Sequence, residues 1–186
     1  QNFHTLSRMI NTMNHRGPDT YGHTIINSCC LAHTRLSIID LENGRQPMSY
    51  TKDGNTYYIV YNGEIYNYKE VKKTLLRKNY TFETNSDTEV IIAAFCHYGP
   101  GFVKELNGIF AIAIYDSMRN TLYLYRDRFG VKPLYYTKTG DTLVFASRID
   151  TLFEYPRVRP CIDMNSFNEI FSLGPAKTYG KGVFSG

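Results

Sequence analysis

The apolar run over residues 109–115 most constrains the fold, because it is bounded by turn residues and opens a series of similar short segments. Residues 121–125, 134–137 and 143–146 follow it, joined by Asp116-Ser117-Met118-Arg119-Asn120 and Thr139-Gly140-Asp141. Short strands linked by tight turns read as an antiparallel meander. Upstream, residues 23–28, 30–39 and 56–61 read as further extended segments, and Asp53-Gly54-Asn55 suits a hairpin turn before the third of them. That third run is expected to stop at Asn62-Gly63.

Helical spacing marks other stretches. Leu6, Met9, Ile10 and Met13 predict an amphipathic helix over residues 4–14, and Tyr68, Val71, Lys72 and Leu75 a second through about Lys78. Ser86 or Asp87 caps a third, with Glu89 in capping-box register and Val90, Ile91, Ala94 and Phe95 as its buried stripe. Gly99-Pro100-Gly101 ends it, and a last helix is expected over residues 165–173. Helices interspersed among at least six strands predict sheets covered by helices, and argue against an alternating parallel barrel.

Composition narrows the function classes. With 186 residues, 42% of them hydrophobic, the chain can build one substantial core, and it reads as a single soluble domain. A formal charge of +4 is too mild for a nucleic-acid footprint, and the aromatic residues recur inside alternating apolar runs, where packing explains them better than base stacking. The four cysteines, Cys29, Cys30, Cys96 and Cys161, lack disulfide-framework or metal-ligand spacing and read as reduced thiols. No apolar run approaches a membrane span and no secretion signal is visible, so a cytoplasmic setting is expected.

Polar clusters interrupt the apolar pattern at His15 to Asp19, His33-Thr34-Arg35, Asn62-Gly63-Glu64 and Ser86-Asp87. A guanidinium at a strand end can hold a carboxylate in a bidentate fork, while Asp or Glu accepts from an amino group. Such parts could clamp an amino acid by both its charges. An Asn amide beside a Gly N–H could serve a developing oxyanion. Plainer roles fit the same residues: Arg35 as a structural ion pair, Asn62-Gly63 as a turn, Asp87 as a helix cap. His15 and His33 have no carboxylates at metal-binding spacing, so no metal site is expected. No Walker or Rossmann glycine pattern occurs.

In this order the clusters resemble the N-terminal glutaminase domain of glutamine-hydrolysing asparagine synthetases, which are class II glutamine amidotransferases of the N-terminal-nucleophile hydrolase type. The matching residues are His15-Arg16-Gly17-Pro18-Asp19, the HTRLSIID of residues 33–40, the YNGEIYN of residues 61–67 and Ser86-Asp87-Thr88-Glu89. Leu106-Asn107-Gly108-Ile109-Phe110-Ala111 and the RDRFGVKPLYY of residues 126–136 complete the pattern, which covers residues 15–149. The resemblance implies an α+β fold, a four-layer α-β-β-α sandwich with two facing antiparallel sheets, its first strand missing here.

In that family Arg35 would bind the glutamine α-carboxylate, with backbone groups around Leu36 and Ile38 lining the pocket. Glu64 and Asp87 would hold the α-ammonium, and Asn62 with the Gly63 N–H would form the oxyanion hole. Residues 15–19 and 126–136 would shape and support the site. The family's nucleophile is an N-terminal Cys whose α-amine acts as base. Gln1 cannot substitute for it, so the 186 residues alone are expected to be inactive.

Residues 1–186 are thus expected to be an amidotransferase domain, incomplete at its start and followed by a synthetase domain that uses ATP and magnesium to convert aspartate to asparagine. This domain itself is expected to need no cofactor. Its expected partners are glutamine and the synthetase domain, with room for a homodimer and no role for nucleic acid or membrane. An acceptor in surface-polysaccharide or natural-product modification, or a catalytically dead glutamine-binding module, are the alternatives.

Overall fold

The computed structural model describes residues 2–13, 20–35, 45–173 and 184. In chain order the elements are α1 (Asn2–Met13), β1 (Thr20–Ile26), β2 (Cys29–Arg35), β3 (Met48–Lys52), β4 (Asn55–Ile65), α2 (Tyr68–Leu76) and α3 (Asp87–Tyr98), then a 3-10 helix (Gly99–Glu105). They continue with β5 (Gly108–Asp116), β6 (Thr121–Arg126), β7 (Tyr135–Thr139), β8 (Thr142–Ala146), α4 (Ile149–Phe153) and α5 (Met164–Leu173). Two compact units divide the chain at residues 134 and 135.

The first unit is organised around an antiparallel sheet of order β3-β4-β5-β6. Period-two alternation sends Ile59, Tyr61 and Ile65 of β4, with Phe110, Ile112 and Ile114 of β5, to one face, where they join the buried residues of α2 and α3 in a single core. Phe95 of α3 sits at the centre of that core, edge-on to Phe102, Tyr57 and Tyr123 at centroid distances of 5.5, 5.7 and 5.0 Å. The opposite face carries Val60, Ala111, Ala113 and Tyr115, all buried. Against this face lies the β1-β2 hairpin, whose Leu31 is fully buried, and α1 covers β2 with Leu6 and Ile10. Helices, sheet, hairpin and helix thus form the expected layering within this unit.

Side chains fasten the hairpin at one end. Asn27, in the β1-β2 turn, donates to the Tyr115 hydroxyl at 3.3 Å and to the Ser117 carbonyl at 3.2 Å. Tyr115 in turn donates to Asn120 Oδ1 at 2.5 Å, and Ser28 donates to the same oxygen at 3.1 Å.

Three expectations change. Strand β3 was not foreseen, although the Asp53-Gly54 hairpin turn required a strand on its other side. β4 does not stop at Asn62-Gly63 but runs on to Ile65, pairing Asn62 with Ala111 and Gly63 with Phe110, so the pair is not a turn. The four-strand meander is two hairpins, because the loop after β6 separates it from the β7-β8 pair.

The continuation of β4 depends on a reciprocal close approach. A Cβ on Gly63 would lie 2.1 Å from the Ile109 carbonyl oxygen, and one on Gly108 would lie 2.3 Å from that of Glu64. Only glycine fits at either place without moving backbone.

In the second unit β7 and β8 pair across Gly140, α4 packs on both strands, and Asp163 caps α5 by accepting from the Asn165 and Ser166 N–H groups at 3.0 Å.

Asp116 closes β5 with no exposed surface, accepting from Asn55 Nδ2 at 2.8 Å and from the Arg119 N–H and guanidinium at 2.9 Å each. Burial by itself would raise its pKa, but these donors outweigh it and hold the carboxyl below its ordinary value. Its contribution is therefore full above the unfolded pKa of about 3.9 and is lost as pH falls through the lower folded value. Asp116→Asn should unfold at lower urea than wild type at about pH 7, and urea titrations at about pH 3 should find that gap narrowed. Gly63→Ala should lower unfolding free energy by at least about 2 kcal/mol in the same assay.

Candidate functional site

Of the candidate residues, Asn62, Gly63 and Glu64 lie on β4 just beyond the point where β3 ends, and Asp87 meets this stretch from α3. β3 covers that edge as far as Ile59, which pairs with Met48. The next outward N–H, that of Tyr61, is taken by the side-chain oxygen of Gln46 at 2.6 Å. Four residues further along, the Ile65 N–H is directed at Asp87 Oδ2 at 3.4 Å. Period-two alternation places the Gly63 N–H on this same edge, between the two claimed ones. No acceptor meets it among the described residues.

Asn62 and Glu64 point to the sheet face opposite the helices. Asn62 is half-buried and its amide has no hydrogen-bond partner among the described residues, while Glu64 is exposed.

Asp87 reaches this edge from the first turn of α3. Ser86 is the N-cap, its hydroxyl accepting from the Thr88 N–H at 3.2 Å, so Asp87 is not needed as a cap. Instead its Oδ2 accepts from the Tyr61 hydroxyl at 2.8 Å. Glu89 departs from the capping-box pattern. It is buried and accepts from the Glu83 and Thr84 N–H groups at 2.8 Å and from the Thr84 hydroxyl at 2.7 Å. That clamp sets the turn leading into Ser86 and Asp87.

Arg35 is the last residue of β2, paired with Thr20. Leu36, Ile38 and the His15–Asp19 loop lie outside the described residues. His33 lies in β2, and no group of three or more His, Cys, Asp or Glu disposed to hold a metal occurs among the described residues.

The loop after β6 supports the far side of the site. Asp127 accepts from the N–H groups of Phe110, Phe129, Val131 and Lys132 at 3.3, 3.1, 2.9 and 3.0 Å. Burial opposes its ionisation, yet those donors hold its carboxyl below the ordinary value. Phe110 is the partner of Gly63, so this anchor sets the strand against which Gly63 lies. Arg126 ties the same loop by donating to the Lys132 carbonyl at 2.8 Å and the Gly130 carbonyl at 2.6 Å.

A strand edge with an unclaimed N–H, an unclaimed amide beside it and a carboxylate facing it is a place for a polar, partly anionic ligand. The domain model describing a glutamine amidotransferase domain matches residues 1–186. The chain belongs to the glutamine amidotransferase domain family. Among curated relatives, it is 42% identical over 182 residues to a glutamine-hydrolyzing asparagine synthetase of Bacillus subtilis, covering 98% of this chain and 30% of that protein. It is likewise 42% identical over 141 residues to asparagine synthetase B of Escherichia coli, covering 75% of this chain and 24% of that one. The amidotransferase domain therefore spans less than a third of the length of these relatives.

Among solved structures, the glutamine phosphoribosylpyrophosphate amidotransferase of B. subtilis superposes with a TM-score of 0.67 at 19% identity, over 80% of this chain and 40% of that one. The amidotransferase domain thus shares the α+β sandwich fold of that amidotransferase.

Gln46, Tyr61 and the exact role of Glu89 escaped sequence reading. Tyr61 lies on the core face by alternation, and nothing in its spacing signals a hydroxyl partner in α3. Replacing Glu89 by Gln should lower unfolding free energy by about 1–3 kcal/mol, because an amide cannot accept all three of these hydrogen bonds. Denaturant unfolding of the two proteins checks it.

Proposed function

We propose that this domain binds glutamine and hydrolyses its side-chain amide within a longer asparagine synthetase. The observation that carries this is the donor pair on β4, the Asn62 amide and the Gly63 N–H, which meets no acceptor among the described residues and is set between N–H groups that are both satisfied. Buried or half-buried donors left open in a folded chain suit an acceptor that arrives with the ligand. An oxyanion developing on the amide carbon is such an acceptor.

Glu64 and Asp87 would hold the α-ammonium of glutamine, and Arg35 its α-carboxylate, with backbone around Leu36 and Ile38 completing the pocket. A cysteine thiolate adds to the amide carbon, ammonia leaves with the proton it gains, and water then releases glutamate from the thioester. Neither Cys29 nor Cys96 suits that attack. Burial, reinforced by Cys30, pushes the Cys29 thiol up to about 11, and burial first raises Cys96 to about 12. Both remain thiols near neutrality. An N-terminal cysteine of the full protein, whose α-amine titrates near pH 8, is the nucleophile this chemistry calls for.

Ammonia would pass to a C-terminal synthetase domain that activates aspartate with ATP and magnesium. The names of the asparagine synthetase relatives support that acceptor over a polysaccharide or natural-product one. Glutamine and the synthetase domain are then the partners, the setting is cytoplasmic, and a homodimer is compatible with it. No helix among the described residues is long and apolar enough to cross a membrane.

Arg35→Ala in the full enzyme should abolish most glutamine-dependent synthesis while sparing synthesis from added ammonia. Unchanged glutamine use would remove Arg35 from the site. Asn62→Ala should lower the glutaminase rate by roughly 10²–10³, the scale of one oxyanion donor, and a steady-state assay of glutamate release reads it directly.

A further inference from the structure

One oxygen of Asp87 is held from both ends of the segment that carries the open donors. Oδ2 accepts from the Tyr61 hydroxyl at 2.8 Å and from the Ile65 N–H at 3.4 Å, and these residues bracket Asn62, Gly63 and Glu64. Gln46 couples the same two elements again. Its Oε1 accepts from the Tyr61 N–H at 2.6 Å and its Nε2 donates to the Thr88 hydroxyl at 3.4 Å. Asp87 Oδ1, by contrast, takes no hydrogen bond among the described residues.

The terminal torsion of an aspartate is broad, and its two oxygens are equivalent, so what a ligand senses is the tilt of the carboxylate plane, which packing alone does not set. Tyr61 decides it here. Its ring is 5% exposed and packed in the core with Ile59 and Ile65, which fixes where the hydroxyl lies. Burial, and after it the Asp87 charge and hydrogen bond, raise the Tyr61 pKa, so the phenol remains the donor and the carboxylate the acceptor.

We propose that Tyr61 is a positioning residue, whose hydroxyl locks Asp87 Oδ2 so that Oδ1 is presented to the ammonium group of an α-amino acid bound at the β4 edge. Tyr61 itself touches no substrate. It has this role only if glutamine binds here as proposed above.

The test uses the full-length enzyme as wild type, Tyr61→Phe, Asp87→Asn and the double variant, assayed for glutamate release from glutamine, with thermal unfolding of each. Loss of a hydrogen bond to a charged group should raise the KM for glutamine about tenfold in Tyr61→Phe while kcat changes less than about twofold. In the Asp87→Asn background the same substitution should move KM less than about twofold, because the carboxylate it orients is gone. An unchanged KM in Tyr61→Phe, or equal fold-changes in the two backgrounds, overturns the positioning role. So does a fall in kcat and melting temperature with KM intact, the sign of a purely structural hydrogen bond. Should Tyr61→Phe not fold, a crystal structure of the wild-type enzyme with glutamine bound decides instead: the ammonium on Asp87 Oδ1 while Tyr61 holds Oδ2 supports the role, and an ammonium placed elsewhere overturns it. A wild-type enzyme that releases no glutamate overturns the glutamine reading, and the positioning role with it, whereas an active wild type with an unaltered variant overturns the positioning role alone.

Discussion

The β4-β5 ladder is the interaction on which the first unit depends. It pairs Tyr57 through Ile65 with Gly108 through Asp116, the whole length of β5, and both faces of the resulting ribbon are buried along its middle, from Ile59 to Tyr61 and from Phe110 to Tyr115. One face receives α2 and α3, the other the β1-β2 hairpin and α1. A ribbon buried on both sides must be continuous, since any break would leave backbone groups without partners in the interior. The reciprocal approach of Gly63 and Gly108 keeps it continuous to its end, and Asp127 anchors that end by binding the Phe110 N–H.

The same ladder explains why the candidate site lies where it does. β3 is shorter than β4, so the outer edge of β4 is covered at one end and open at the other. Two of the outward N–H groups are satisfied by side chains, Gln46 and Asp87, and the one between them meets no acceptor among the described residues. Among the described residues, an edge completed on both sides of a glycine differs from an ordinary strand edge, where consecutive groups face water alike. The side chains that close the neighbouring positions also carry the carboxylate to the gap.

Much of this architecture was legible in the residues. The helix over 4–14 appears as Asn2–Met13, the one expected from Tyr68 ends at Leu76, and Gly99-Pro100-Gly101 does end α3. These elements are local in origin, set by periodicity and caps. The errors concern features that depend on a partner strand. Asn62-Gly63 looks like a turn in isolation because Asn and Gly favour turns, yet pairing with Ala111 and Phe110 holds it extended. The strand at Met48–Lys52 has only a weak alternation of half-buried and exposed residues, and it exists because β4 supplies its hydrogen bonds.

For the site, the sequence by itself determined which residues are available: the polar clusters at Arg35, Asn62-Gly63-Glu64 and Ser86-Asp87, and the family resemblance they carry together. Only the tertiary structure decided that Asp87, separated from Gly63 in the chain by the whole of α2, meets β4 through Tyr61 and Ile65. It also decided that Glu89 clamps the preceding turn and that Gln46 completes the strand edge. Spacing along a chain encodes periodicity and capping within one element. A hydrogen bond between a strand and a helix depends on the packing that brings them together, and that packing is decided by the whole core at once.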